Sequence, residues 1–340
     1  MSTVHVPPPA LQIADMVLAK IKTHSLGVFA ELRIADLLAG EPRSLKALAG
    51  ATGAHAPSLG RLLRLLAALG VVAEADAGLY RLTEAGQFLR SDVPGSLRGI
   101  AAMFGGEVHS RAWARLNHSV MTGAPAFDTV FGMPIFEYLA TDPNAAAMFD
   151  DAMTSSSVAQ AEAVVDTYDF SGISRLVDVA GGHGTLLATI LQRYPSLSGV
   201  LFELPHVAAG TGRVFDDAGV RDRVEIVSGD FLEEVPSGAD AYIMKRIIHD
   251  WDDDRAATIL GNCRVAMAPS GRILVVDAVL DESPSSLYGK MLDIEMLALT
   301  PHGKERTEAE LRDLLARSGL RLVRIVRTAS PLSVVEACLL

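Results

Sequence analysis

Apolar residues recur at helical spacing through the first half of the chain. From Ser174 onward they fall instead into short β-branched runs separated by helical stretches. The runs lie at 175–180, 199–203, 224–228, 240–244 and 272–277, with a closing pair near 321–327 and 332–338. Val, Leu and Ile without alternation mark strands covered on both faces, so the pattern predicts an α/β doubly wound parallel sheet.

Upstream, Ile13, Met16, Val17 and Ile21, then Leu26, Phe29, Ile34 and Leu37, predict two helices over Leu11 to Leu38. Ser44 and Ser58 stand where helix N-caps belong and Gly70 where a C-cap belongs. Val71-Val72, Gly78 and Leu79-Tyr80-Arg81-Leu82 read as a hairpin, giving 41–90 a winged-helix pattern. Residues 95–165 read as irregular helices carrying Trp113, Phe127, Phe131, Phe136, Tyr138, Phe149 and Met153. Aromatics and Met at this density build core, and Met103, Phe149 and Met153 could equally wall a pocket for a flat apolar substrate. The expected organisation is an N-terminal helical domain over 1–98, opening on a loose tail from Met1 to Pro9, a helical linker over 99–165, and the sheet domain over 166–340.

Open α/β sheets bind ligands beyond the carboxyl ends of their strands, so the residues after each apolar run are the candidates for chemistry. The first run breaks into Leu-Val-Asp-Val-Ala-Gly-Gly-His-Gly at 176–184. Gly181, Gly182 and Gly184 let the backbone turn tightly against a ligand, and Asp178 offers a carboxylate to a cationic one. A dinucleotide fingerprint needs a third spaced glycine, and counting from Gly182 that position is Leu187, so a ligand without pyrophosphate is favoured. Glu203 ends the second run, about twenty residues on, where an acid accepts from both ribose hydroxyls. Adenosine without diphosphate points to S-adenosyl-L-methionine. Asp230-Phe231 after the third run suits adenine, and the fourth ends at Met244-Lys245-Arg246. His249 follows on the same side, placed to take a proton from a substrate hydroxyl. Asp252, Asp253 and Asp254 read as the start of a helix over 254–267 rather than a metal site.

Charge narrows the choice. The formal net charge of −11 disfavours nonspecific nucleic-acid binding, and 41–98 holds seven Lys/Arg against five Asp/Glu with no basic stripe. Only Cys263 and Cys338 are present, too far apart for a thiolate metal site or a disulfide framework, so a reducing cytoplasm is the expected compartment. No apolar run is long enough to span a bilayer.

The sequence resembles the plant-type family of S-adenosylmethionine-dependent small-molecule O-methyltransferases, which includes bacterial enzymes of natural-product biosynthesis. The glycine turn carries the resemblance together with Phe-Glu-Leu-Pro-His-Val, Ser-Gly-Asp-Phe, Met-Lys-Arg-Ile-Ile-His-Asp-Trp and Gly-Lys-Glu-Arg-Thr at 303–307. It implies a Rossmann-like methyltransferase domain behind an N-terminal dimerisation domain, and hence a homodimer. It implies His249 as catalytic base with Asp277 and Glu305 flanking it. Glu203, Asp230, Phe231 and Lys245 match cofactor contacts, with Trp251 of the histidine motif on the same side. Met153, Asp293 and Met296 fall near the acceptor pocket. Ala180 departs from the family, standing where another glycine is common. The expected reaction is methylation of a phenolic or enolic hydroxyl of a small aromatic acceptor, with no metal, nucleic acid or membrane involved. Three rivals are a relative repurposed for hydroxylation or decarboxylation, a ligand-responsive DNA-binding regulator, and a nicotinamide oxidoreductase.

Overall fold

A computed structural model describes residues 8–75, 78–208, 210–281 and 287–340. The chain folds as two compact units, one of residues up to Arg111 with Asp142–Ser156, the other of Ala112–Thr141 with Ser157–Leu340. Most of the expected loose tail, residues 1–7, lies outside the described residues, as do 76 and 77 in the hairpin turn.

In the first unit Pro9 opens a helix that runs unbroken to Glu31, its fixed φ and missing N–H suiting the first turn. The two helices expected over Leu11 to Leu38 are therefore one long helix and a single turn, Ile34–Leu37, divided where Arg33 takes φ +50°. Gly27 meets Gly105 of the helix Arg98–Gly105 so closely that a Cβ on Gly27 would lie 2.7 Å from the Gly105 Cα. Ser44 caps the helix Leu45–Thr52 by accepting from the Ala47 N–H, as its position predicts. Ser58 does not cap. The helix Ala56–Ala68 takes His55 as its N-cap, three residues earlier, because Pro57 fits its first turn, and Ser58 bonds the His55 ring instead. Strands β1 (Arg43–Ser44), β2 (Val72–Ala75) and β3 (Leu79–Leu82) form an antiparallel sheet in the order β1-β3-β2. Phe29, Ile34, Leu48, Leu63 and Leu66 are its sealed core.

The second unit is built on β4 (Arg175–Val179), β5 (Ser198–Glu203), β6 (Val224–Ser228), β7 (Ala241–Lys245), β8 (Arg272–Asp277), β11 (Leu320–Arg327) and β12 (Ser333–Leu339). The short strands β9 (Val279–Leu280) and β10 (Arg306–Thr307) pair with each other beside this sheet. The order is β11-β12-β8-β7-β4-β5-β6, with β4 to β8 mutually parallel. The sheet is mixed rather than wholly parallel, because β12 runs antiparallel to both neighbours. Only Thr328 to Leu332 separate β11 from β12, too few residues for the crossover a parallel pair requires. Leu176, Leu201, Ile243 and Leu274 face one core layer, Val177, Val200, Tyr242 and Val275 the other, which explains the unalternating runs. The chain reverses direction across the sheet at β4, with β5 on one side and β7 on the other, and ligands of open α/β sheets bind at such a switch.

Candidate active site

Beyond β4 the backbone makes three left-handed residues within five positions: Ala180 at φ +54°, Gly182 at +60° and Gly184 at +85°. A Cβ on Gly181 would lie 2.5 Å from the Asp178 carboxylate and 2.6 Å from Leu201, so the turn closes only with glycine there. Gly182 has open space around it, and its N–H donates to Glu203 Oε2 at 2.9 Å, while Glu203 Oε1 accepts the Leu204 N–H at 2.8 Å. Each of these oxygens keeps a second lone pair. Ala180 completes the turn by donating its N–H to Phe202 O. An L-residue pays about 1–2 kcal/mol for a left-handed backbone, partly offset by the unfolded-chain entropy of glycine. Ala180→Gly is therefore expected to raise stability by roughly 0.5–1 kcal/mol. A shift of the urea midpoint at constant m-value measures it, and a lowered midpoint would show the strain to be absent.

Asp178 is 1% exposed and neither carboxylate oxygen has a hydrogen-bond partner among the described residues. Burial pushes its carboxyl up to about 7, against the pull of Lys245. The Lys245 ammonium, brought down to about 8 mainly by burial, is held by Ser157 Oγ at 2.8 Å and Gln160 Oε1 at 3.3 Å. An orphaned, buried carboxylate beside an open glycine fits a ligand that brings its own cation. Asp230 accepts the Leu232 N–H, and Phe231 meets the edge of Trp251 at 5.9 Å between ring centroids. The structure thus brings the third-strand aromatic and the histidine-motif tryptophan together.

His249 lies in the single 3-10 turn Ile248–Asp250 after β7, 3% exposed. Its Nδ1 is 2.7 Å from Glu305 Oε1, joining two residues far apart in the chain. Burial lowers the His249 imidazole, while the Asp250 and Asp277 charges oppose the shift. Burial also raises Asp277 to about 6 and Glu305 to about 7. Asp277 Oδ1 and Glu305 Oε2 are buried without hydrogen-bond partners among the described residues. Asp250 was not anticipated from the sequence, yet its Oδ1 stands 3.5 Å from His249 Nε2.

Asp293, on the helix Leu287–Leu299, accepts the Glu305 N–H at 3.0 Å, so the structure ties it to the acid behind the histidine. Met296 is buried on the same helix, next to Glu295, which accepts the Trp113 indole N–H at 2.7 Å. Phe127, Phe131 and Tyr138 stack beside one another in this unit. Met103, Phe149 and Met153 belong to the first unit, half-buried on the helices Arg98–Gly105 and Pro143–Thr167. Those two helices touch where Gly99 meets the Ala152 backbone.

Residues 113–321 match the O-methyltransferase domain family and residues 14–92 the O-methyltransferase dimerisation domain. The phenazine O-methyltransferase PhzM of Lysobacter antibioticus is 45% identical over 93% of this chain and 92% of its own. The crystal structure of LaPhzM superposes with a TM-score of 0.93 at 43% identity, over 98% of this chain and all of its own. The neocarzinostatin-biosynthesis O-methyltransferase NcsB1, solved with S-adenosylmethionine and 2-hydroxy-5-methyl naphthoic acid, gives a TM-score of 0.80 at 35% identity, covering 99% and 100%. The chain belongs to the plant-type O-methyltransferase family, as a bacterial natural-product type of S-adenosylmethionine-dependent enzyme.

Proposed function

We propose that this enzyme methylates a phenolic or enolic hydroxyl of a small aromatic acceptor, with His249 Nε2 taking the proton. The observation that carries this reading is the His249–Glu305 contact: with the proton on Nδ1 donated to the carboxylate, Nε2 keeps its lone pair for the acceptor. When bound, S-adenosylmethionine supplies an electrophilic methyl carbon on a sulfonium. Asp178 would meet the cofactor's ammonium, Glu203 its ribose hydroxyls through the free lone pairs, and Asp230, Phe231 and Trp251 its adenine. Lys245, held beside Asp178, would complete the polar lining. A phenol titrates near 10 and a free histidine near 6.5, so proton transfer alone is uphill by roughly 5 kcal/mol. Burial lowers the His249 imidazole and widens that gap, the Asp250 and Asp277 charges oppose it only in part, and an aliphatic alcohol lies much further uphill than a phenol. Met296 supplies apolar wall on the catalytic side.

A homodimer accompanies this reading. Leu11, Ile13, Met16, Val17 and Leu18 are more than half exposed along the first helix, inside or beside the matched dimerisation domain, and a second copy is their proposed cover.

Calorimetric titration with S-adenosylhomocysteine, in two buffers of different ionisation enthalpy, tests the cofactor half. One site per chain is expected, and because Asp178 sits near 7 in the free protein, a cation beside it should release up to ~0.5 proton at pH 7, fading by pH 9. Binding without proton release would detach Asp178 from the ligand. Mass spectrometry on a panel of naphthols, hydroxyphenazines, aliphatic alcohols and aromatic amines tests the acceptor half. Methylation confined to alcohols or amines, or hydroxylated or decarboxylated products, would overturn it.

A further inference from the structure

The turn that carries His249 has little to hold it from within. It is one turn of 3-10 helix, with long internal bonds from Asp250 N to Ile247 O at 3.1 Å and Trp251 N to Ile248 O at 3.3 Å. Such turns have poor hydrogen-bond geometry and leave their carbonyls in need of donors. It also follows Arg246, a non-glycine residue at φ +57°.

Those donors come from the segment Gly303–Thr307. The Lys304 N–H donates to His249 O at 2.8 Å, an approach that a Cβ on Gly303, 2.8 Å from the same oxygen, would block. The Arg306 guanidinium, 2% exposed, donates through Nη1 to Ile248 O at 2.9 Å and through Nη2 to Trp251 O at 2.9 Å. Its Nε and Nη2 also reach Asp253 Oδ1, in the first turn of the next helix, at 3.0 and 2.8 Å. One planar group thus grips the carbonyl before His249, a carbonyl after it, and the helix that follows. The Arg306 backbone is fixed in turn, since β10 pairs with β9 just beyond Asp277 and Thr307 caps the helix Glu308–Arg317 in a capping box with Glu310. Only a guanidinium presents several donors in a rigid fork; a lysine ammonium is a compact point charge on a flexible stem.

We propose that Arg306 is the positioning residue of the histidine, a buried clasp that holds the 248–251 turn so that the imidazole keeps Nδ1 on Glu305 and leaves Nε2 unprotonated. This rests on His249 being the base, but its test needs no acceptor. In protein labelled with ¹⁵N-histidine and saturated with S-adenosylhomocysteine, His249 of the wild type should show one tautomer, protonated at Nδ1. Arg306→Ala should show the two ring nitrogens averaging between tautomers, with cofactor-product affinity within about threefold of wild type, because the glycine turn and Glu203 lie on other strands. Added guanidinium should restore the single tautomer. Arg306→Lys should restore it only in part. Ile190→Ala, a truncation in the opposite core layer, serves as a control for general destabilisation and should leave the tautomer unchanged. A wild-type signal in either Arg306 variant would overturn the proposal. So would a signal disturbed equally by Ile190→Ala, or loss of S-adenosylhomocysteine binding in both Arg306 variants, since Arg306 would then support the fold at large. Should the wild type bind S-adenosylhomocysteine, keep the Nδ1 tautomer and methylate nothing, the reading of the reaction fails while the clasp stands.

Discussion

Replacing His249 with alanine is expected to lower the methyl-transfer rate by about 10²–10⁴-fold, the usual share of a positioned base, while S-adenosylhomocysteine binds within a few-fold of wild type. The separation follows from the sheet: the imidazole hangs from the turn after β7, whereas the glycine turn and Glu203 hang from β4 and β5. Removal leaves Glu305 buried without its partner, but burial already holds that carboxyl up to about 7, so at neutral pH it can take a proton rather than remain a bare charge. The variant should therefore fold. The pH profile adds a second check. A base must be unprotonated to act, and burial lowers the His249 imidazole from its ordinary 6.5, so the acid limb of kcat/KM should lie below that value in the wild type and vanish from the residual activity of the variant. Turnover that survives intact, or an acid limb retained without the histidine, would assign the base elsewhere.

The parts of this molecule that could be read in advance are those with a period or a motif. Buried parallel strands announce themselves as unbroken Val, Leu and Ile, and the runs foreseen at 199–203, 224–228 and 272–277 match β5, β6 and β8 to within a residue. The antiparallel insertion of β12 was not read, since strand direction depends on connection length and partner rather than on the run itself. Ser58 misled because a serine before an apolar helical pattern is a capping signal, yet Pro57 already fitted a first turn that began earlier. Within the site, no periodicity links His249 to Glu305; the Gly-Lys-Glu-Arg-Thr resemblance did so. The resemblance implies a role for the acid of that motif, and the arginine beside it makes more contacts with the histidine turn. Asp250, Ser157 and Gln160 escaped for a related reason: a polar side chain that serves one buried neighbour leaves no pattern along the sequence.

Glu203→Ala should weaken S-adenosylhomocysteine binding by roughly 10²–10⁴-fold, because it removes two effects at once. The first is direct: a carboxylate that receives two ribose hydroxyls makes two charge-assisted hydrogen bonds, worth about 1.5–3 kcal/mol each. The second acts through the turn. Glu203 Oε2 anchors the Gly182 N–H, and Gly182 sits at φ +60° between Ala180 and Gly184, both also left-handed. Without that anchor Gly182 loses its bond to β5, Ala180 N–H to Phe202 O is left to tie the turn to that strand, and the cradle is held less firmly in its bound shape before the ligand arrives. Glu203→Gln separates the two effects. Its amide oxygen can still accept from Gly182, so the turn should persist, but the second ribose hydroxyl meets an NH₂ instead of an acceptor, and affinity should fall only about 10-fold. Isothermal titration of both variants decides. Equal losses would place the whole effect in charge and detach Glu203 from the turn, and near-normal affinity in the alanine variant would move the ribose site away from the end of β5.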